Sequence, residues 1–298
     1  MRVGNAPISW GVCEIPGWGP QLPYERVLDE MARAGYEGTE LGPWGYLPTD
    51  PERLAQLLGS RGLALAASFV PVNLREKGRL EAERPNVEAV AKLLASLGAR
   101  HILIADGGDP LRMSIAGRLD KTRAQGLSRE QWQYLARSLE ELARLCQEEY
   151  GLTLCVHSHG GSYIENPDEI QRLLEMTDPS LVKWCFDTGH VAFGGGDPVD
   201  LAGKFAGRIG HVHLKDIRLE LLREKLAQGK DYVAAAQGDV FVPLGEGDVD
   251  IPKIFEILKK SGYDGWIIVE QDRVLGEGED SLSAPMKSRE YLRTRIGI

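Results

Sequence analysis

The sequence predicts an α/β fold, a (β/α)8 TIM barrel, on three observations. Eight short apolar runs alternate with longer stretches of helical period. The runs are apolar on both faces, as parallel strands covered on both sides are. The polar residues that interrupt them gather at their C-terminal ends, where barrels of this kind build their active sites.

The first run, "VGNAPIS" (3–9), leads into "APISWGVCE", which brings Trp10 and Glu14 to the same end of the barrel; there an aromatic ring can stack on a sugar. In 24–35, Val27, Leu28, Met31 and Ala34 recur at spacings of three and four, one face of a helix. The second run, "GTELG" (38–42), carries Glu40, a carboxylate that either meets a substrate or pairs with a buried arginine. The third and fourth runs are "LALAASFV" (63–70) and "HILIADG" (101–107), the latter ending in Asp106. Ser128 and Gln131 form a capping box for a helix over 128–150, which buries Trp132, Leu135, Leu139 and Leu142 and stops at Gly151. The fifth run, "LTLCVHS" (152–158), ends in His157, with His159 beyond. The sixth, "VKWCFDT" (182–188), ends in Asp187, with His190 beyond. The seventh, "IGHVHLKD" (209–216), carries His211, His213 and Lys215. A helix over 251–260, with Asp250 as its cap, precedes the eighth, "GWIIVEQD" (265–272), which ends in Glu270. Asp216 and Asp272 read as caps of the segments after them. Three long connections, 71–84, 106–127 and 217–250, come after the third, fourth and seventh runs, and the last contains "LELLREKLAQGKDY", the pattern of a short lid helix.

The chain's 298 residues, 43% hydrophobic, suffice for a large core, and α/β barrels use this length as one unit, so 1–298 is read as a single domain. A net charge of −9 without any block of Lys or Arg argues against nucleic acid or an anionic membrane surface as partner. Cys13, Cys146, Cys155 and Cys185 form no C-x-x-C pair, and no long apolar stretch resembles a signal peptide or a membrane span; the expectation is a reduced, cytoplasmic protein. "FGGGDP" (193–198) lacks the Lys-Ser/Thr of a P-loop and reads as a turn into a helix, and "PLGEGDVD" (243–250) reads as either loop plus cap or lid hinge.

Five of the six histidines thus lie at the ends of three consecutive runs. Neighbouring strand ends of a barrel converge on one bowl. His157, Asp187, His213 and Glu270 would then offer one ligand each, and a mixed imidazole–carboxylate set suits Mn²⁺, Co²⁺ or Zn²⁺ better than the all-oxygen shells of Ca²⁺ or Mg²⁺. The spacing of Asp187 and His190 at the end of a strand is explained in this way, as a ligand beside a residue that looks into the cavity.

"FDTGH" (186–190), "HVHLKD" (211–216), "PLGEGDVD" (243–250) and "GWIIVEQD" (265–272) resemble the recurring blocks of the xylose isomerase-like TIM barrels, a superfamily of sugar isomerases, epimerases, inosose dehydratases and endonuclease IV nucleases, over nearly the whole chain. The resemblance implies Asp187, His213 and Glu270 as metal ligands and His190 as substrate-facing. Isomerases and epimerases of the superfamily carry Glu-x-His where this chain reads "HSH", so His157, or Glu165 in the next loop, completes the metal shell. The histidine-rich fifth run, "APISWG" and "KDYVAAAQGDVFVPLGEGDVD" are similar to the inosose dehydratase branch. The implied activity is metal-dependent dehydration of a keto-inositol such as 2-keto-myo-inositol, with Mn²⁺ or Co²⁺ expected ahead of Zn²⁺ or Mg²⁺. A thiol cosubstrate such as glutathione is compatible with it, as is a homo-oligomer. Glu270 or a loop carboxylate is expected as base and His157, His159 or His190 as acid, with Trp10, Glu14, Glu40, His159, His211 and Lys215 contacting substrate. The alternatives are an isomerase or epimerase of a keto sugar, sharing the enolisation step, and a non-catalytic sugar-binding barrel. A nuclease is opposed by the acidic charge and by the scarcity of histidine on the early runs.

Overall fold

The computed structural model describes residues 1–276 and 278–298. Its strands are β1 (Arg2–Asn5), β2 (Gly38–Thr39), β3 (Ala64–Leu65), β4 (Phe69–Val72), β5 (His101–Asp106), β6 (Thr153–His157), β7 (Val182–Asp187), β8 (Ile209–Leu214), β9 (Asp216–Ile217), β10 (Phe241–Val242) and β11 (Trp266–Val269). Its α-helices are α1 (Tyr24–Ala34), α2 (Pro51–Gly59), α3 (Arg79–Ser96), α4 (Pro110–Ile115), α5 (Leu119–Ala124), α6 (Arg129–Tyr150), α7 (Pro167–Met176), α8 (Thr188–Phe193), α9 (Pro198–Phe205), α10 (Leu219–Ala227), α11 (Tyr232–Ala236), α12 (Ile251–Lys260) and α13 (Ser283–Tyr291).

Nine strands pair in parallel in the order β3-β2-β1-β11-β8-β7-β6-β5-β4. The two ends of that order are one stretch of chain. On one side the Ala66 N–H donates to Thr39 O, and on the other the Leu103 N–H donates to Ser68 O, both at 2.9 Å. The run expected as a single strand over 63–70 is therefore two pieces that turn from one neighbour to the other, and in doing so they close the barrel. Ala67, Leu103, Cys155 and Cys185 fill part of its interior, and all four cysteines are free thiols. The helices pack Leu, Ile and Val against the outside of the strands, as the 3.6-residue period requires.

The caps form as the sequence predicts. Both bonds of the Ser128–Gln131 capping box are present, and Asp250 accepts the Lys253 N–H. The first strand is shorter than expected. It stops at Asn5 because Pro7 opens a 3₁₀ turn over Pro7–Trp10, and that turn drives Trp10 into the core, where its Nε1–H donates to Glu30 at 2.8 Å. This corrects the expectation that Trp10 faces a sugar.

The long connections contain structure of their own: α3 begins inside 71–84, and α4 and α5 occupy most of 106–127. Residues 217–250 carry α10 and α11 on an antiparallel pair, β9 with β10. Asp216 anchors this excursion instead of capping a helix. Its carboxylate accepts the backbone N–H groups of Ile217, Gly245, Gly247 and Val249 at 2.9–3.1 Å, so "PLGEGDVD" winds around it. A Cβ at Gly247 would collide with that carboxylate. Among the described residues, no helix is long and apolar enough to cross a membrane.

Candidate active site

The strand ends open into a cavity of about 480 Å³ with polar residues on its floor and apolar ones around its collar, among them Trp18, Trp44, Phe69 and Met113. Each floor residue is placed by strand geometry. Alternation along β8 turns His211 and His213 to the same inner face, and Lys215 comes next on that face. β6 delivers His157, β7 ends at Asp187, and Glu270 and Asp272 lie just beyond β11.

Asp187 has two roles because it both ends β7 and caps α8. Its Oδ1 accepts the His190 N–H at 2.8 Å, which leaves Oδ2 free to face the bowl. Gly189, between them, makes room for Lys215: an added Cβ would lie 2.6 Å from the lysine's Cγ. The sequence "DTGH" therefore lets a lysine side chain pass over a helix start.

The four expected ligands meet. His157 Nε2 is 3.6 Å from Asp187 Oδ2, which is 3.8 Å from His213 Nδ1, and that nitrogen is 3.2 Å from Glu270 Oε2. Asp187, His213 and Glu270 present ligand atoms within 4.8 Å of one another, as do His157, Asp187 and His190. Both ring nitrogens of His157, Asp187 Oδ2 and His213 Nδ1 are buried without a hydrogen-bond partner. Buried polar atoms are almost always partnered, so the orphaned His157 Nε2 and His213 Nδ1, 3.6 and 3.8 Å from the orphaned Asp187 Oδ2, fit a divalent cation bound by imidazole and carboxylate.

Lys215 lies beside this cluster, with Nζ at 2.7 Å from Asp272, 3.0 Å from Glu270, 3.1 Å from His190 Nε2 and 3.3 Å from Asp187. Burial opposes its charge, but Asp187, Asp272 and Glu270 outweigh burial and hold its pKa well above the usual lysine value. Burial, with His159 and Lys215 as neighbours, drives His190 well below the usual histidine range, and burial beside His157 and Lys215 brings His159 down to about 3. These two imidazoles are therefore neutral beside a cationic lysine. Tyr232, the first residue of α11, enters the bowl: its hydroxyl donates to Asp272 at 3.1 Å and lies 3.4 Å from His159 Nε2.

Several expected residues lie elsewhere. His211 is fully buried beneath the bowl and does not line it. Glu40 lines the floor, and its partners are two histidines where an arginine was one alternative. Glu165 does not reach the ligand set; its carboxylate accepts the Gly117 and Gly161 N–H groups at 2.7 Å and ties two loops together. Glu14 lines the rim. Asp272, read as a cap, instead pairs with Lys215 and Tyr232. The sequence does not single out Tyr232 or Trp18 as site residues, and Asp106, noted at the end of the fourth run, is part of the cavity wall, where Arg75 and the Tyr163 N–H hold it away from the ligand set. For Tyr232 the available signal is its place in the "LELLREKLAQGKDY" excursion; Trp18 lies next to a glycine in a turn and carries no periodic signal.

A family model described as xylose isomerase-like TIM barrel matches residues 28–294. The inosose dehydratase of Geobacillus kaustophilus is 36% identical over 273 residues, covering 92% of this chain and 88% of its own length. That of Clostridium beijerinckii is 33% identical over 305 residues, covering 100% of this chain and 98% of its own. Among solved structures, the IOLI protein with a bound zinc atom superposes with a TM-score of 0.70 at 14% identity, over 98% of this chain and 97% of the other, a likeness of fold.

Proposed function

Because this chain belongs to the xylose isomerase-like TIM barrel family, we propose that it is a metal-dependent dehydratase of a cyclic polyol ketone, of the kind 2-keto-myo-inositol represents. The observation that carries this reading is the asymmetry of the bowl. His157, Asp187, His213 and Glu270 converge as a ligand set, and an imidazole, His157, stands at the end of β6 where the Glu-x-His pattern of the isomerases and epimerases has a carboxylate. These four residues would hold a divalent ion, Mn²⁺ or Co²⁺ suiting them best, and the chemistry it would supply is Lewis-acid activation of the substrate ketone.

The protein's own groups do the rest. Glu270, at the edge of the ligand set, takes the proton from the carbon α to the ketone. The cationic Lys215 supplies the proton that leaves with the β-hydroxyl as water, and His190, 3.1 Å away, can pass it on. One C–H and one C–O bond break and a C=C bond forms. Since the α-carbon carries a hydroxyl, the product is an enol that ketonises to a dione. Asp272, which accepts the Tyr232 hydroxyl, holds Lys215, while Trp18 and Phe69 exclude water around the ring.

The test is proton NMR of the metal-loaded protein with 2-keto-myo-inositol in D₂O, alongside Glu270→Gln. Loss of water to a dione, abolished in the variant, is expected. Deuterium entering the α-carbon without dehydration would replace the dehydratase by an isomerase or epimerase.

A further inference from the structure

We propose that Glu40 is a positioning residue of the metal centre, a carboxylate that reaches across the barrel and fixes which nitrogen of His213 faces the ion. This rests on the metal-dependent reading above.

Glu40 lies immediately after β2, and two strands, β1 and β11, separate β2 from β8 around the ring. Its side chain, 2% exposed, crosses the interior to meet both histidines of β8. Oε1 lies 2.9 Å from His211 Nε2 and 2.9 Å from His213 Nε2. An ionised carboxylate only accepts hydrogen bonds, so both Nε2 atoms carry the protons. The metal-facing atom of His213 is then Nδ1, the nitrogen without a partner that lies 3.2 Å from Glu270 and 3.8 Å from Asp187. With the opposite tautomer, an N–H would point at the ion and repel it. A second-nitrogen bond to a carboxylate also raises the basicity of a ligating imidazole. His211 belongs to the same device: it donates to the same oxygen from the layer below and so holds the carboxylate's position. This gives a role to a histidine that lines no cavity.

The full-length protein, stripped of metal, is titrated with Co²⁺ and followed by its visible d–d absorption, with Mn²⁺ calorimetry alongside. Glu40→Gln keeps the shape but offers a neutral amide, and it is expected to weaken metal binding by about 10–100-fold and to alter the Co²⁺ band. Asp106→Asn, a carboxylate of the same cavity bound to Arg75 and the Tyr163 N–H, is expected to leave the affinity within about twofold, since it touches no ligand. Because the Gln variant replaces a buried charge, a second measurement uses the parent alone. Imidazole ¹⁵N NMR of its Zn²⁺ form should show His213 protonated at Nε2 and metal-shifted at Nδ1. Equal metal affinities in parent and Glu40→Gln, or zinc on Nε2, would overturn the role of Glu40 and leave the metal reading standing. A parent that binds neither Co²⁺ nor Mn²⁺ would overturn both.

Discussion

Arg112 and Glu169 meet under the loop after β6, and Asp187, His157 and His213 meet at the strand ends; both sets are charged and buried, and they are built differently. The guanidinium holds Glu169 through two bonds, at 2.8 and 2.9 Å, and also donates to Thr122 O. Glu169 Oε2 accepts two backbone N–H groups besides. Arg112 Nε is the one atom of the pair without a partner. In the bowl, four side-chain atoms of three neighbouring residues lack partners, while Lys215 is surrounded by three carboxylates. Polar groups that satisfy one another brace a structure. Groups that converge and leave their shared space unsatisfied are arranged for something else that binds there.

The contrast predicts opposite phenotypes, and the largest is at the bowl. Glu270→Gln should lower kcat by about 10²–10⁴-fold, the usual worth of a general base, with the folded state intact by circular dichroism. Activity within a few-fold of the parent would remove Glu270 from catalysis. At the brace, Arg112→Leu leaves Glu169 buried and unpaired, which costs about 3–5 kcal/mol. Urea denaturation measures this, and Co²⁺ affinity should not change. Lost metal binding in a variant that still folds would show that the two regions are not separate.

A third prediction uses pH at the seam between them. Burial pushes Glu165 up to about 7, against the pull of the Gly117 and Gly161 N–H groups. Its folded pKa lies above its unfolded one, so its stabilising contribution is complete below about pH 4.5 and is lost as pH rises through 7. Relative to Glu165→Gln, the parent should lose on the order of 3 kcal/mol between pH 4.5 and 8. Parallel stability curves for the two proteins would put the Glu165 carboxyl in its ordinary range. The smallest effect is expected from Tyr232→Phe, which removes one hydrogen bond to Asp272. A loss of about fivefold in kcat, near 1 kcal/mol, with metal affinity unchanged, would place the role of Tyr232 on the substrate side. Weaker metal binding would place it under the ligand set instead.

Local signals sufficed for much of this molecule. Apolar runs and helical periods located the barrel's strands and the helices 24–35, 128–150 and 251–260, and Ser128 and Gln131 announced a cap that forms in full. The convergence of His157, Asp187, His213 and Glu270 was legible because a barrel brings consecutive strand ends together whatever its loops do. Trp10 was misplaced because a proline two residues after the strand turned the chain, and side-chain direction beyond a turn is not periodic. Glu165, offered as the alternative to His157, falls outside the ligand set because a loop carboxylate's partners, here backbone N–H groups of residues 117 and 161, depend on the path of the loop. Which residues carry chemistry was written along the chain, in their types and their strand-end positions. Which of them touch was decided by the tertiary structure. Glu40 lies 173 residues from His213, and Tyr232 lies 40 from Asp272. Contacts at such separations depend on ring order and on the path of the 217–250 excursion, and no local pattern encodes either.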